Sequence, residues 1–426
     1  MDHHNLKRTI GLPQAIALYI GAVLGSGVLI VPGLAAEIAG PASLLAWGLM
    51  TLLILPLALS MGLLSAKFPN AGGVSHFVTL AFGPQIGSLV GWFFLMSIPI
   101  GAPVAALTGA GYMTVAMGWS DSARVILAAG MLAIGLLTNI VGMKVVGQVQ
   151  IAVVLAIVAV LVLAIIGSVP HIESANFTPF MPHGWMSVGR AAAILFWCFI
   201  GWEAVSHLSE EFLDPQRAAV KGVTIAAVIV GLLYFLTALA TVGTHSYHTA
   251  GSDASLVLVI SKLLGPWGAL VAGVTGVFIC TSTIIAYTGA ATRLAYALAR
   301  KGDAPRWLGI LSKRYGTPIG GIGFFALCFG AVLSLYSSRV ISLTTLIQLP
   351  NATLILTYLG GCAAGIRLLK GSTWGVGISW LSFLSTAVIF PFVGWAVLYP
   401  LVIIIGFWIT RRVRDKNAIL NKSLNE

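Results

Sequence analysis

Long apolar runs recur along the whole chain, and short segments between them carry most of the charged residues. A run of about 20 apolar residues is long enough for a helix to cross a bilayer. The pattern therefore predicts an all-α polytopic membrane protein with twelve transmembrane helices and no soluble domain between them. The predicted spans are 12–38, 41–66, 84–116, 123–142, 147–169, 187–211, 220–244, 265–300, 319–337, 341–366, 374–392 and 394–410.

The first predicted span contains residues that weaken a helix, in the stretch GAVLGSGVLIVPG (21–33). Glycine costs about 1 kcal/mol relative to alanine inside a helix, and here Gly25 and Gly27 flank Ser26. The sixth span is interrupted in the same way at FWCFIGWE (196–203). We predict that helices 1 and 6 are discontinuous near the middle of the membrane. The N–H groups freed at such a break attract anions and the freed carbonyl groups attract cations, so a broken helix suits a zwitterion.

Two related motifs indicate an internal repeat. AFGPQIGSLVG (81–91) opens the third span, and LLGPWGALVAG (263–273) opens the eighth. Five spans separate the copies, so they enter the membrane from opposite faces, as inverted-topology repeats do. Chance similarity between apolar segments is the alternative, but the same offset relates the broken first and sixth spans. The predicted divisions are an N-terminal repeat at 1–169, an inverted repeat at 187–366, two further helices at 374–410 and a cytoplasmic tail at 411–426.

The composition excludes a soluble protein. Of the 426 residues, 58% are hydrophobic and only 8% are charged, with a mean hydropathy of +0.99, whereas soluble domains carry roughly 25% charged residues. With the N-terminus inside, nineteen of the 23 Lys and Arg residues are cytoplasmic, which follows the positive-inside rule. We predict that both termini are cytoplasmic and that the net charge of +11 does not mark a nucleic-acid surface. The four cations left outside are Arg124, Arg190, Lys262 and Arg339.

The chain offers little chemistry for catalysis or for a cofactor. Its four cysteines fall inside predicted spans without paired spacing, as small buried apolar side chains do. Its eight histidines form no metal-binding pattern, no nucleophile–base pair stands out, and no Walker loop for ATP is present. We therefore predict no enzymatic activity, no metal and no cofactor. The expected partners are a small-molecule substrate and the lipid bilayer, with no nucleic acid and no obligate protein partner.

Four motifs resemble those of the amino acid–polyamine–organocation (APC) superfamily. They are IGAVLGSGVLIVPG (20–33), FPNAGGVSHFVTLAFG (68–83), FWCFIGWEAVSHLSEEFLDPQR (196–217) and TRLAYALARKGDAP (292–305). The likeness covers essentially all twelve spans and is greatest to bacterial exporters of L-methionine and branched-chain amino acids. It implies a multi-pass protein of the bacterial cytoplasmic membrane with a leucine-transporter-like fold. In that fold ten core helices form a 5+5 inverted repeat, two more helices follow, and alternating access operates around a central site.

The resemblance also implies the residues of a substrate site. In relatives a Gly-Ser-Gly triplet receives the substrate carboxylate, which assigns Gly25, Ser26 and Gly27, and the carbonyl two residues earlier, that of Val23, receives the amino group. The other implied binding residues are Trp197, Phe199, Ile200, Gly201 and Tyr287. From the residues alone, small side chains let a carboxylate approach the backbone, and Ser26 adds a hydroxyl donor. Close helix packing is the structural alternative for the triplet, and a core or lipid-facing position is the alternative for Trp197.

Coupling to an ion gradient rests on fewer residues. Several sodium-independent relatives carry a lysine in the middle of the fifth span, but QVQIAVVLAIVAVLVLAIIG (148–167) has none, so that mechanism is not carried over. Glu203 is a carboxyl beside the sixth-span break, where an ionisable group is costly and indicates function; capping the broken helix is its structural alternative. Thr281, Ser282 and Thr283 offer hydroxyls for sodium, but interhelical hydrogen bonding is the simpler role. We expect sodium-independent, proton-linked transport.

These features favour a secondary-active exporter or exchanger of neutral apolar amino acids such as methionine, leucine, isoleucine and valine. A broad uptake permease for small neutral amino acids is one alternative, and a transporter of polyamines or other organocations is another. A channel requires a continuous polar lining that the spans do not supply. A membrane-embedded enzyme requires clustered His, Asp or Glu residues within the spans. Neither of these classes explains two broken helices at corresponding positions.

Overall fold

The computed structural model describes residues 11–70, 73–141, 146–203, 213–214, 216–247 and 254–423. Over these residues the chain is helical, without a β-strand, as the apolar runs predict. Nine segments of this part of the chain are long and apolar enough to cross a membrane. Two of them, Gly27–Lys67 and Thr373–Arg412, each contain more than one helix. An all-helical, multi-span chain is therefore confirmed, while the count of twelve spans stays a prediction.

The helices begin and end close to the predicted spans. In chain order they are α1 (Leu12–Val23), α2 (Gly27–Ala39), α3 (Ser43–Lys67), α4 (Gly73–Phe82), α5 (Pro84–Met117), α6 (Asp121–Val141), α7 (Val146–Ser168), α8 (Gly184–Leu195), α9 (Gly222–Gly243), α10 (Ser255–Arg300), α11 (Ile319–Ser337), α12 (Leu343–Leu368), α13 (Thr373–Ile389) and α14 (Leu398–Ser423). The last helix continues past residue 410, where the apolar run ends. Each residue added to an existing helix gains a hydrogen bond, so α14 extends into the charged tail.

The glycines before the proline in the two copies of the repeat motif have similar backbone conformations. Gly83 has φ 91° and ψ 169°, and Pro84 follows it as the first residue of α5. Gly265 has φ 61° and ψ −150°, and it kinks α10 immediately before Pro266. This region of backbone space is open essentially to glycine alone, and proline suits the first turn of a helix because its missing N–H is not needed there. The predicted eighth span therefore starts at this kink.

Helices at corresponding positions in the two predicted halves pack against each other. The helix α2 packs on α8, α3 on α9, α5 on α10, and α6 on α11. The pair α5 and α10 has the most extensive contact between two helices in the described part of the chain, and α12 packs along α5. The buried side chains form one large cluster that includes residues of both halves. This packing brings the first and sixth predicted spans side by side.

Candidate functional site

The first predicted span is broken between Val23 and Gly27. Leu24 has φ −70° and ψ 78°, which are close to the angles of the middle residue of an inverse γ-turn. The N–H of Gly25 makes the hydrogen bond of this turn, to the carbonyl of Val23 at 2.8 Å. The chain then re-enters a helix at Gly27, where Ser26 is the N-cap without a side-chain capping bond. The first N–H groups of a helix have no intrahelical acceptor. The break therefore presents donors beside the Ser26 hydroxyl.

The sixth predicted span is broken just after α8. A 3-10 turn runs over Phe196–Phe199, Ile200 is extended, and Gly201 has φ 128°. Helical structure resumes at Trp202. Residues 204–211, the rest of this predicted span, lie outside the described residues. Both breaks that the glycines predict are thus present in the described part of the chain.

The two breaks touch each other through glycine. A Cβ atom on Gly27 would lie 2.9 Å from the Cα of Cys198 and 3.1 Å from Cδ1 of Trp197. A Cβ atom on Gly201 would overlap the carbonyl group of Ala22. Each break therefore places a glycine against the backbone of the other. The sequence predicts a glycine at position 27 because a carboxylate needs room there. The structure gives a second reason, which is close packing against the backbone of Cys198.

One tyrosine of α9 connects the two breaks. The hydroxyl of Tyr234 lies 2.8 Å from the carbonyl oxygen of Val23 and 3.1 Å from that of Cys198. The Val23 oxygen also accepts the N–H of Gly25, so both of its lone pairs are in use. A substrate ammonium that binds Val23 must therefore displace one of these donors. Of the two donors, only the Tyr234 hydroxyl has a second acceptor within reach in the described structure, the carbonyl oxygen of Cys198.

A cavity lies at the breaks. The space between its lining atoms amounts to about 580 Å³, including the part open to solvent. Its lining residues come from both breaks and from α5, α10 and α12: Ala22, Val23, Gly25, Ser26, Gly27, Ser97, Ile98, Gly101, Ala102, Ala105, Trp197, Ile200, Thr283, Ile284, Tyr287 and Leu354.

Seven of the nine implied binding residues line this cavity, and two do not. Phe199 is completely buried and packs against Trp47 and Tyr234, with ring centroids 6.1 and 5.3 Å apart. Trp197 and Phe199 are two residues apart in a helical turn, so their side chains point in different directions, and of the two only Trp197 lines the cavity. Gly201 instead directs its N–H to the carboxylate of Glu203 at 2.9 Å. Neither residue lines the cavity, and their contacts with substrate stay predictions.

The sequence prediction missed the wall that α5 contributes. Ser97, Gly101, Ala102 and Ala105 lie along one side of the cavity. At Gly101 a Cβ atom would lie 3.0 Å from Cη2 of Trp197, so a small residue is needed there. The available signal was the pair of small residues Gly101 and Ala102 between the two prolines inside α5. Such a pair is also typical of plain helix packing.

Glu203 lies next to the second break but does not line the cavity. It is 2% exposed. Its Oε2 atom accepts the N–H of Gly201 at 2.9 Å and a short hydrogen bond from the hydroxyl of Tyr358 on α12. The carboxyl thus caps the backbone after the break and connects it to α12. These hydrogen bonds agree with the structural alternative for Glu203, which is capping of the broken helix. Its role in coupling stays a prediction.

The cavity suits a small molecule that carries its own charges. Among the residues the structure describes, those lining it have no charged side chain. Its polar groups are the hydroxyls of Ser26, Ser97, Thr283 and Tyr287 and the backbone at the breaks. Within the same residues, no three His, Cys, Asp or Glu side chains are grouped for a metal ion. Backbone dipoles with an apolar wall are appropriate for reversible binding of an apolar zwitterion.

The comparisons with known proteins agree on one family. The family model for amino acid permeases matches residues 10–418. The chain is 40% identical to an uncharacterized amino acid permease, YecA, of Bacillus subtilis, over 93% of this chain and 94% of the relative. It is 31% identical to the L-methionine/branched-chain amino acid exporter YjeH of Escherichia coli, over 97% and 99%. It is 27% identical to the branched-chain amino acid permease BcaP of Bacillus subtilis, over 75% and 73%.

Proposed function

The chain belongs to the amino acid permease family, and from that membership we propose a secondary-active transporter of neutral amino acids with apolar side chains. The observation that best supports this proposal is the cavity between two broken helices, which combines backbone dipoles with an apolar lining. Methionine, leucine, isoleucine and valine are the proposed substrates. The proposed location is a bacterial cytoplasmic membrane, with both termini on the cytoplasmic side.

The proposed architecture is twelve transmembrane helices with a 5+5 inverted repeat at 1–169 and 187–366. Two observations support it. The motif glycines Gly83 and Gly265 share an unusual backbone conformation before a proline. Helices five spans apart also pack in pairs, from α2 with α8 to α6 with α11. Alternating access then consists of movement of one bundle of helices against the other around the central cavity.

The proposed binding mode uses the two ends of the substrate differently. The carboxylate binds the N–H groups at the start of α2 and the hydroxyl of Ser26, where the helix dipole is positive. The ammonium binds carbonyl groups at the ends of α1 and α8, with Val23 available once Tyr234 turns to Cys198. The side chain lies against Trp197 and the small residues of α5. No group in the described lining neutralises a second charge, which disfavours arginine, glutamate and polyamines.

Export is the proposed direction. The similarity to the Escherichia coli methionine and branched-chain exporter extends over nearly the whole of both chains. The Bacillus subtilis branched-chain permease supports the same substrate class, and uptake is the alternative direction because the same cycle runs either way. Movement against a gradient requires energy, and the sequence has no ATP loop. We propose proton coupling through Glu203, without sodium.

Counterflow in proteoliposomes tests this function. Vesicles loaded with unlabelled methionine should accumulate labelled methionine, and external leucine, isoleucine or valine should compete. Arginine and glutamate should compete weakly. Sodium and pH are varied independently in the same assay. If arginine or glutamate displaced the label better than methionine, the proposed substrate class would be wrong.

A further inference from the structure

The segment 301–318 joins α10 to α11 and carries four cations and one acid. The exposed cations are Lys301, Arg306, Lys313 and Arg314. Within the described part of the chain, none of the four takes part in an ion pair. The acid, Asp303, is directed to α5, where its carboxylate accepts from the hydroxyl of Ser88 at 2.8 Å. The segment therefore presents a net positive charge that the described residues leave unpaired.

Large apolar side chains of the same segment are exposed next to these cations. Trp307 is 47% exposed, Ile310 54% and Leu311 42%. Leu308, which lies between them in the sequence, is instead buried in the main apolar cluster. The short 3-10 turn Arg306–Gly309 thus inserts one apolar side chain into the protein and directs its neighbours outward. Exposed apolar side chains next to cations are typical of segments that lie in a membrane interface.

The backbone of the segment is fixed against the first turn of α11. The N–H of Gly320 donates to the carbonyl of Ile310 at 3.1 Å, and a Cβ atom on Gly320 would overlap the carbonyl of Trp307. The Trp307 ring contacts that of Phe324, with centroids 6.0 Å apart. Phe324 lies about 7.5 Å along the helix axis from the start of α11 at Ile319. Because α11 is long and apolar enough to cross a membrane, Trp307 is at the depth of the membrane–water interface, where tryptophan is enriched.

We propose that the segment 301–318 is a docking surface for anionic phospholipid on the predicted cytoplasmic face of the membrane. Trp307, Ile310 and Leu311 enter the boundary between headgroups and acyl chains, and the cations bind lipid phosphates. Charge complementarity favours this partner, since the cytoplasmic leaflet is negative and attracts clusters of about four or more Lys and Arg residues beside a transmembrane helix. The inference rests on the membrane location of the chain and not on the proposed substrate.

Native mass spectrometry of the purified full-length protein tests the docking surface, with phosphatidylglycerol as the anionic lipid and phosphatidylcholine as the zwitterionic one. The wild-type protein should bind phosphatidylglycerol more tightly. The triple variant Arg306→Gln/Lys313→Gln/Arg314→Gln should weaken that binding by about tenfold or more, because attraction to an anionic surface grows with the number of cations. Glycerol phosphate, which has a phosphate but no acyl chains, should not displace the lipid; displacement at equal concentration would contradict a lipid surface.

A matched triple variant controls for the loss of charge. Arg217→Gln/Lys221→Gln/Lys370→Gln removes three exposed cations from elsewhere on the same predicted face, and it should change the affinity for phosphatidylglycerol little. Equal affinities in the two triple variants would overturn the docking surface. A dimer in the mass spectra that only the segment variant abolishes would instead assign the segment to a second copy of the chain.

Quenching of tryptophan fluorescence by lipids with brominated acyl chains tests the depth of Trp307. In vesicles that contain brominated phosphatidylglycerol, the difference between the wild type and Trp307→Phe gives the signal of Trp307, which should be strongly quenched. The same difference for Trp47→Phe, which removes a fully buried tryptophan, should be quenched much less. An unquenched Trp307 would place the segment in water, as a surface for a soluble acidic partner, and would overturn the proposal. None of these measurements involves an amino acid, so their failure leaves the proposed function standing.

Discussion

The hydroxyl of Tyr234 lies between the carbonyl oxygens of Val23 and Cys198, 2.8 Å from the first and 3.1 Å from the second. A tyrosine has one hydroxyl proton, so it fully satisfies only one of these oxygens at a time. When a substrate ammonium binds Val23, Tyr234 can turn to Cys198 and both carbonyls remain satisfied. We therefore expect Tyr234 to couple the occupancy of one broken helix to the hydrogen bonding of the other.

Replacement of Tyr234 by phenylalanine should strengthen methionine binding. In the empty wild-type site a substrate ammonium must displace the Tyr234 hydroxyl from the Val23 carbonyl, whereas in the variant this hydrogen bond is already missing, and an unmade buried hydrogen bond costs the empty protein about 1–3 kcal/mol. We expect a decrease of about tenfold in the counterflow KM. Tyr399→Phe is the matched control, because it also removes a hydroxyl bound to a carbonyl, that of Met96 at 2.6 Å, away from the breaks. Equal KM values for Tyr234→Phe and the wild type would contradict the bridging role.

Substitution of Gly27 should be far more damaging than substitution of Gly25. A Cβ atom on Gly27 would lie 2.9 Å from the Cα of Cys198, whereas one on Gly25 would lie 3.7 Å from Thr283, an ordinary contact. Gly27→Val should therefore abolish methionine binding, and Gly27→Ala should lower the Tm of the purified protein more than Gly25→Ala does. If folded, membrane-inserted Gly27→Val transported methionine normally, the assignment of this break as the substrate-binding site would be wrong.

Ser26→Ala should have an intermediate effect. The Ser26 side chain makes no capping bond, is 3% exposed and lines the cavity, so its hydroxyl is available to the carboxylate. Loss of one hydrogen bond to a charged group costs about 1.5–3 kcal/mol. The control is Ser97→Ala, because the Ser97 hydroxyl already donates to the carbonyl of Phe94 at 2.7 Å. Isothermal titration with methionine should show weaker binding for Ser26→Ala only; a similar loss in both variants would argue against the carboxylate contact.

The sequence predicts the helices and both breaks because each depends on local chemistry. Apolar runs set the helix limits, and glycines set the breaks. The direction of Phe199 could not be predicted, since it depends on the 3-10 turn that follows α8. The α5 wall was missed for a different reason: the small residues Gly101 and Ala102 look the same in sequence whether they pack against a helix or line a cavity. The bridge from Tyr234 joins residues 211 and 36 positions away, so no local pattern indicates it.

Transport should not require sodium. The fifth predicted span offers no lysine to replace a sodium ion, and the hydroxyl of Thr283 donates to the carbonyl of Ile279 within its own helix at 3.0 Å. Replacement of sodium by choline should therefore leave methionine counterflow unchanged at constant pH. Potassium in place of choline serves as a control for the replacement cation. Strict sodium dependence would instead assign Ser282 and Thr283 as sodium ligands.

Glu203 is the carboxyl that we expect to couple transport to protons. Its Oε2 atom accepts hydrogen bonds from the N–H of Gly201 and from Tyr358, and glutamine retains an acceptor oxygen of the same reach. Glu203→Gln should therefore fold normally, and its one-for-one methionine exchange, which moves no net proton, should continue. Glu203→Ala, which removes the acceptor, should lower stability by about 1–3 kcal/mol. These two variants separate the charge of the residue from its capping role.

The decisive measurement for Glu203→Gln is net methionine movement driven by an imposed pH gradient in proteoliposomes. Net movement should respond to the gradient in the wild type and should not respond in the variant, because the amide cannot exchange a proton with either side. One-for-one exchange, measured in the same vesicles, controls for the amount of active protein. Tyr358→Phe removes the neighbouring hydroxyl but keeps the carboxyl, so it should retain the response to the gradient. An unchanged response in Glu203→Gln would leave Glu203 as the cap of the broken helix and move proton coupling to another residue.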